Sequence, residues 1–213
     1  MPAAIWTGRN ATAEHAAVAI AAALADELGL AAPPLTVTMP AASTGTPAGS
    51  LLPPRARFSN MPAPTHCFLY VDTTSPRRFE LRASLMAGRS GFRRSLGLGH
   101  LFYAVPMTAP VPSPLELSAP AGAAPAGFTG DPTATSRLNG DTHLIDAARA
   151  LTPATAGPDR HHTWQATSRL TIEPLPEGSV LLVQTLHRLT ARAWSLSAAE
   201  VLGFAAGVEA LLG

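Results

Sequence analysis

The sequence predicts an α+β fold in which a mainly antiparallel sheet is covered by N-terminal, central and C-terminal helices. Three observations lead to this prediction. Segments with helical periodicity stand at the start, in the middle and at the end of the chain, and segments with two-residue alternation stand between them. Short turn sequences join neighbouring strands, and strands joined in this way pair antiparallel.

The first predicted element is a helix that begins at about residue 11 or 13 and ends at residue 28. Asn10 or Thr12 can cap its free N–H groups, and Gly29 can adopt the left-handed conformation that ends a helix. Apolar residues recur at helical spacing along it, so it is expected to pack against the sheet. The sequence LTVTM, residues 35–39, then alternates like a short strand.

A hairpin is predicted next, with strands at residues 65–71 and 78–85. In the second strand apolar residues alternate with polar ones, so one face should be buried and the other solvated. The polar residues are Arg78, Glu80, Arg82 and Ser84. The sequence AGRSG, residues 87–91, is interpreted as a turn, and residues 96–105 as the returning strand.

Two segments rich in proline, glycine and alanine interrupt these patterns, at residues 40–64 and 106–128. Such composition favours irregular surface structure, although a short LEL strand is expected within the second segment. One domain over residues 1–213 is the preferred organisation. The alternative has subdomains at residues 1–105 and 128–213, joined by a Pro/Ala-rich linker at residues 106–127.

The C-terminal part of the chain has clearer signals. Asn139-Gly140 is predicted to form a turn, after which Asp141 or Thr142 caps a helix that ends near Leu151. A strand from about residue 161 to 173 follows, then a turn. The next strand, VLLVQTLHRL, is apolar nearly throughout, which predicts an interior place in the sheet.

The last predicted element is a helix. Ser197 and Glu200 have the spacing of a capping box, in which each side chain satisfies a backbone N–H of the other. Apolar residues then recur at helical spacing and are expected to cover the sheet. They are Val201, Phe204, Ala205, Val208, Leu211 and Leu212.

Composition restricts the class of protein. Cys67 is the single cysteine of the 213 residues, so no internal disulfide can form. The longest apolar run near the start, residues 16–25, is about half the ~20 residues that a membrane span needs, and no secretory signal is visible. We therefore expect a cytoplasmic protein without a transmembrane segment. The absence of lysine, with excess Ala, Pro and Gly, indicates a GC-rich bacterial genome.

The sequence GPDRHHTW, residues 157–164, raises the question of a metal or acid/base site. If His161 and His162 lie on a strand, their side chains point to opposite faces and cannot readily share one zinc ion. No third ligand stands at a familiar spacing, so we expect neither a metal nor another cofactor. Cys67, within an apolar strand, is expected to be an inert buried thiol.

An enzyme remains an alternative. Its candidate catalytic residues are Asp141, His143 and His162, with Asp146 as a second carboxylate beside His143. Asp141 also has a sufficient structural role as a helix cap, and acid/base catalysis requires a cleft in which these groups meet. The chain has neither a GxSxG nucleophile turn nor a phosphate-binding GxxxxGK sequence.

Arginines are concentrated in residues 55–94, where eight stand against Asp72 and Glu80. An extended basic face could bind nucleic acid or another polyanion. In a chain without lysine every solubilising cation is an arginine, so the cluster also has a plain explanation. The candidate anion-binding residues are Arg77, Arg78, Arg82, Arg89, Arg93 and Arg94.

The sequences FTGDPTATSRLNGDTHLIDAARAL and LTIEPLPEGSVLLVQTL, with the last helix, resemble an uncharacterised bacterial domain family often attached to membrane anchors. The resemblance covers residues 128–212. It implies an order of Gly-Asp turn, strand, short helix and hairpin, and it implies no activity. Residues 133–135 lack the aromatic residue of the family pattern, and no anchor is visible.

Taken together, these features favour a non-enzymatic domain that binds a protein partner or associates with its own copy. The prediction depends on the lack of an assembled catalytic group and on the low charge of the chain, with 14% charged residues against an ordinary ~25%. Polyanion binding and an enzyme with a His/Asp site are the alternatives.

Overall fold

The computed structural model describes residues 21–22, 25–26, 28–37, 66–73, 77–90, 93–118, 126–152, 169–188 and 197–213. Its strands are β1 (Leu35–Val37), β2 (His66–Asp72), β3 (Phe79–Ser90), β4 (Arg93–Met107), β5 (Leu115–Ser118), β6 (Gly127–Thr129), β7 (Arg169–Leu175) and β8 (Gly178–Arg188). Its complete helices are α1 (Pro132–Gly140), α2 (Thr142–Leu151) and α3 (Ala198–Leu212). None of these helices is long and apolar enough to cross a membrane.

The described strands form one sheet in the order β1-β2-β3-β4-β8-β7-β5-β6, and every pair is antiparallel. The predicted α+β class with antiparallel pairing is confirmed. β8 lies between β4 and β7, as its nearly apolar sequence predicted. Because β4 and β8 come from opposite sides of residues 106–127, both parts of the chain contribute to the same sheet.

The N-terminal helix is described near its end, where Ala21, Ala25 and Leu28 are buried. Gly29 has a φ of 67°, and the N–H of Leu30 donates to the carbonyl of Ala25 at 2.9 Å. This is the six-residue closing bond of a helix that ends in a left-handed glycine, as predicted. The predicted start of this helix lies outside the described residues.

The hairpin of β3 and β4 is longer than predicted. The turn predicted at AGRSG is wrong for residues 87–90. These residues continue β3 and pair with β4, and the last pair joins Ser90 to Arg93. The two glycines and the serine suggested a reversal, but a strand inside a sheet can hold such residues when its backbone hydrogen bonds are formed with the partner strand. A register shift between Leu85 and Ala87 marks a bulge in this part of the hairpin.

All the described helices contribute to a core on one face of the sheet. The strands present large apolar side chains there, and α3 places Val201, Phe204, Ala205 and Val208 against them, with Leu211 and Leu212 half-buried. The predicted stripe of the last helix is therefore confirmed. The buried sheet residues of this core are Tyr70, Phe79, Leu81, Tyr103, Val105, Met107, Leu115, Phe128, Leu170, Ile172, Leu181 and Val183.

The opposite face of the sheet is also buried along its central strands. Phe102, Ala104, Val180 and Leu182 form a second, smaller apolar cluster there. Glu80 is completely buried and Arg82 is 4% exposed, so the predicted solvated face of β3 is wrong at these two positions. The guanidinium Nε of Arg82 donates to the carboxylate of Glu80, which compensates much of the cost of burying either charge.

Helix α1 was not predicted from the sequence. Asp131 accepts a hydrogen bond from the N–H of Ala134 at 2.9 Å, and Pro132 occupies the first turn. An aspartate followed by proline is a good start signal for a helix, because proline has the required φ and no N–H to satisfy. Asn139-Gly140, predicted as a turn, forms the last two residues of this helix.

Helix α2 begins and ends where the sequence predicted. The carboxylate of Asp141 accepts from the N–H of Leu144 at 3.0 Å, and the helix ends at Leu151. The capping box of α3 is also confirmed, since Ser197 and Glu200 exchange both bonds. Gly207 lies where α3 meets α2, and a Cβ there would come within 3.1 Å of a methyl group of Leu144.

Candidate functional site

A groove lies between α2 and α3 on the outer side of the helix layer. Its volume is about 430 Å³. The floor is apolar and contains Leu144, Leu151 and Phe204. The walls come from small residues, Ala147, Ala150, Gly203 and Gly207, so the groove is open along its length.

Each polar group of the groove lies at the beginning of its own helix, α2 or α3. Asp141 and Glu200 contribute carboxylates, and His143 contributes an exposed imidazole. Each carboxylate caps its own helix: Asp141 binds the N–H of Leu144, and Glu200 binds the N–H of Ser197 at 2.8 Å. The groove therefore has an apolar floor, and because Leu144 near the beginning of α2 lies against Gly207 of α3, seven residues after Glu200, the two carboxylates do not share one end of it.

The structure brings the predicted catalytic residues Asp141 and His143 to the same groove. No hydrogen bond joins them in the described part of the chain, and the Asp141 carboxylate is engaged by the helix backbone. Asp146 lies elsewhere on α2, where it is exposed and pairs with Arg149 at 3.2 Å. His162 and its neighbour His161 lie outside the described residues.

Tyr103 is the largest fully buried side chain near this region. Burial raises the pKa of its hydroxyl, and the negative charge of Glu200 raises it further. The phenol therefore stays protonated at neutral pH and cannot act there as a base.

The predicted anion-binding arginines do not form one surface. Arg82 is buried, and Arg77 forms an ion pair with Glu209 on α3. Arg78 is exposed and directly precedes β3. Arg89, Arg93 and Arg94 belong to the other end of the hairpin, about ten residues or roughly 35 Å along the strand from Arg78.

Glu209 makes polar contacts that the sequence did not suggest. Its carboxylate accepts from Arg77, from the N–H of Thr108 and from the Thr108 hydroxyl at 3.0 Å. Burial alone would raise the pKa of Glu209, but these hydrogen bonds and the charge of Arg77 lower it below its ordinary value. These contacts hold the end of α3 against Arg77, which precedes β3, and Thr108, which follows β4.

The described residues contain no group of three or more His, Cys, Asp or Glu side chains that could hold a metal ion. The side chain of Cys67 lies outside the described ones. Comparisons with protein families, with curated proteins and with solved structures found no match to this chain. The resemblance over residues 128–212 therefore stays a prediction.

Proposed function

We propose that the protein is a non-enzymatic interaction domain and that the groove between α2 and α3 is its binding surface. The ligand that fits is a helix with a small apolar face, because the groove lies between two helices, has an apolar floor and is lined by small side chains. A cytoplasmic location, expected from the sequence, is part of this proposal.

The observation that carries the proposal is the composition of α3. Every residue of α3 is apolar apart from Glu200 and Glu209, although one side of the helix faces outward. The outward side consists of Ala199, Gly203, Ala206 and Ala210, all exposed. A helix that is apolar on all sides is normally buried on all sides, so a partner on the outward face would bury the side that this chain leaves exposed.

Gly203 supports the same proposal. A Cβ at Gly203 would meet no atom within 4 Å, in contrast to Gly207, where Leu144 is close. A glycine inside a helix costs about 0.5 to 1 kcal/mol relative to alanine. None of the described residues packs against Gly203 closely enough to require a glycine there. A glycine at this place does leave the wall of the groove open to the close approach of a ligand.

The proposal can be tested with a labelled amphipathic peptide that has an alanine- and leucine-rich face and lysines on its other side. We expect saturable binding, followed by fluorescence anisotropy, to the natural chain and weaker binding to Gly203→Ala, whose Cβ would narrow the groove wall. Gly203→Trp should lose this binding, because the indole would fill the groove without an internal clash. Equal binding of the peptide to the tryptophan variant would exclude the groove as the binding surface.

A second candidate function is polyanion binding at the far end of the β3–β4 hairpin. Arg89 stands directly opposite Arg94, and Arg93 is opposite Ser90. A bound polyanion would neutralise the three positive charges that the sequence places at this end of the hairpin. The observation favours this end of the hairpin over the dispersed set of six arginines.

The double variant Arg89→Glu with Arg94→Glu should lose salt-sensitive retention on heparin. The matched control is Arg137→Glu with Arg149→Glu, which changes the net charge equally but on α1 and α2. If both double variants lose retention to the same extent, the effect is one of net charge and the hairpin is not a site.

A further inference from the structure

One end of the sheet carries arginines without carboxylates. Beyond the row that joins Arg82, Phe102 and Gln184, the described strands contain four arginines and no Asp or Glu. The arginines are Arg89, Arg93, Arg94 and Arg188. The carboxylates of the described strands lie in rows towards the other end, at Asp72, Glu80, Glu116 and Glu173. The first end of the sheet therefore has a net positive charge.

The strands β3 and β4 extend beyond their described neighbours at this basic end. The described pairing of β2 with β3 ends at Leu85, and that of β8 with β4 ends at Leu98. Among the described strands, residues 87–90 and 93–96 pair only with each other, and we call them the ribbon. A bulge between Leu85 and Ala87 marks its base, and a bulge bends the strand that contains it. The ribbon is therefore a two-stranded arm at the basic end of the sheet.

Three of the four arginines belong to the ribbon. Arg89 and Arg94 are partners in the register and share one face of it, whereas Arg93 lies on the other face. The other ribbon residues are small apart from Leu96, so little bulk surrounds these cations. Arg188 is the last residue of β8 and lies beside the base of the ribbon. Positive charge is thus placed on both faces of the ribbon and at its base.

The ribbon has the dimensions of an element that enters the major groove of B-form DNA. Each of its strands spans about 10 Å, and the two strands are about 5 Å apart. The major groove is about 12 Å wide and about 8.5 Å deep and admits a two-stranded ribbon, whereas the minor groove is only about 6 Å wide. The major groove of an RNA duplex is too narrow for protein side chains to read. Duplex DNA is therefore the polyanion that fits the ribbon.

We propose that the ribbon binds B-form duplex DNA by entering its major groove, with Arg89, Arg93 and Arg94 binding phosphates on both sides of the groove and Arg188 binding a phosphate beside it. This inference rests on the second candidate function, polyanion binding at the hairpin, and names its ligand. Phosphate contacts carry no sequence information directly, so binding is expected at any duplex sequence. Binding of this kind has dissociation constants of about 1 to 100 µM.

The test is titration of a fluorescein-labelled DNA duplex of about 20 base pairs with the natural chain, followed by fluorescence anisotropy at several salt concentrations. Four phosphate contacts predict a slope of roughly −3.6 for log K against log salt, so affinity should fall about 150-fold between ~50 and ~200 mM salt. Arg188→Gln should reduce the magnitude of this slope by about 0.9, and the double variant Arg89→Gln with Arg94→Gln should reduce it by about 1.8.

Arg137→Gln is the matched control, because it removes an exposed arginine from α1, outside the sheet, and should leave the slope unchanged. Circular dichroism should show every variant to be folded. An RNA duplex of the same sequence should bind at least about tenfold more weakly than the DNA. Methyl green, which occupies the major groove, should displace the protein from DNA, whereas netropsin, which occupies the minor groove, should not.

Equal binding of the DNA and RNA duplexes, displacement by netropsin but not by methyl green, or a slope for Arg188→Gln equal to that of the control would overturn the inference. Salt-sensitive retention on heparin without binding to the DNA duplex would overturn it as well, but would leave polyanion binding at the hairpin intact. A natural chain that binds neither heparin nor DNA would remove both the inference and the second candidate function.

Discussion

The side chain of Asn139 closes the outer edge of the sheet at β6. Its Oδ1 accepts from the N–H of Phe128 at 2.7 Å, and its Nδ2 donates to the carbonyl of the same residue at 3.0 Å. The amide thus occupies the place of a further strand. An edge strand with free N–H and carbonyl groups can pair with other chains, so a single residue protects this edge.

Asn139→Ala should lower the free energy of unfolding by about 1 to 2 kcal/mol, because it leaves both backbone groups of a buried residue without their partner. Urea denaturation measures the change. The control is Ser136→Ala, an exposed position of the same helix. An Asn139→Ala variant as stable as this control would show that water replaces the amide without loss.

Glu209 gives the protein a defined dependence on pH. Its pKa in the folded chain lies below the ordinary value of 4.5, so its contribution to stability is present above that pH and is lost as the pH falls through the lower folded value. At pH 7, Glu209→Gln should therefore be less stable than the natural chain by about 1 to 2 kcal/mol.

The stability difference between Glu209→Gln and the natural chain should shrink steadily below pH 4.5, as measured by denaturant unfolding at successive pH values. Glu177→Gln, which changes an exposed carboxylate in the turn between β7 and β8, is the comparison and should change stability little at any of these pH values. A pH-independent difference for Glu209→Gln would contradict the assigned ion pair.

At the scale of elements, the helices show which beginnings and ends can be predicted from a few neighbouring residues. Asp141 and the Ser197–Glu200 pair mark the beginnings of α2 and α3 in sequence and in structure. Helix α1 carries an equally local signal at Asp131-Pro132, but Asn139-Gly140 was interpreted as a turn because both residues are common in turns. A nine-residue helix between two caps is short enough to be mistaken for a loop.

The two glycines of α3 should respond differently to alanine. Gly203→Ala should raise the free energy of unfolding by about 0.5 to 1 kcal/mol, since alanine is the better helix former and its Cβ meets nothing. Gly207→Ala should gain less or lose stability, because its Cβ would press on Leu144 at 3.1 Å. Thermal unfolding at low micromolar concentration compares the two, and an equal gain would contradict the close contact of α2 with α3.

At the scale of the whole molecule, the sheet is buried on both faces along its centre. The second face holds a small apolar cluster together with the ion pair of Glu80 and Arg82. The two-residue alternation correctly separated Phe79 and Leu81 from Glu80 and Arg82 among the described side chains of β3. It could not show that the polar set is buried, because alternation describes direction and not what lies beyond the strand.

Arg82→Met should cost about 3 to 5 kcal/mol, because the carboxylate of Glu80 would remain buried without its guanidinium partner. The double variant Glu80→Leu with Arg82→Met should regain much of this loss, since an apolar pair avoids the cost of removing two charges from water. The measurement is the free energy of unfolding of the natural chain, of Arg82→Met and of the double variant. Equal losses in the single and double variants would show that the ion pair is not the source of the effect.

The sequence by itself determined the class of fold, the antiparallel pairing and the caps of α2 and α3, because these depend on spacings of two to four residues along the chain. Only the tertiary structure decided that Arg82 is buried, that Arg77 pairs with Glu209 and that α2 and α3 enclose a groove. The partners of these contacts are separated in some cases by more than a hundred residues, as Arg77 and Glu209 are. A periodic pattern specifies which way a side chain points, whereas what it meets depends on where distant segments are packed.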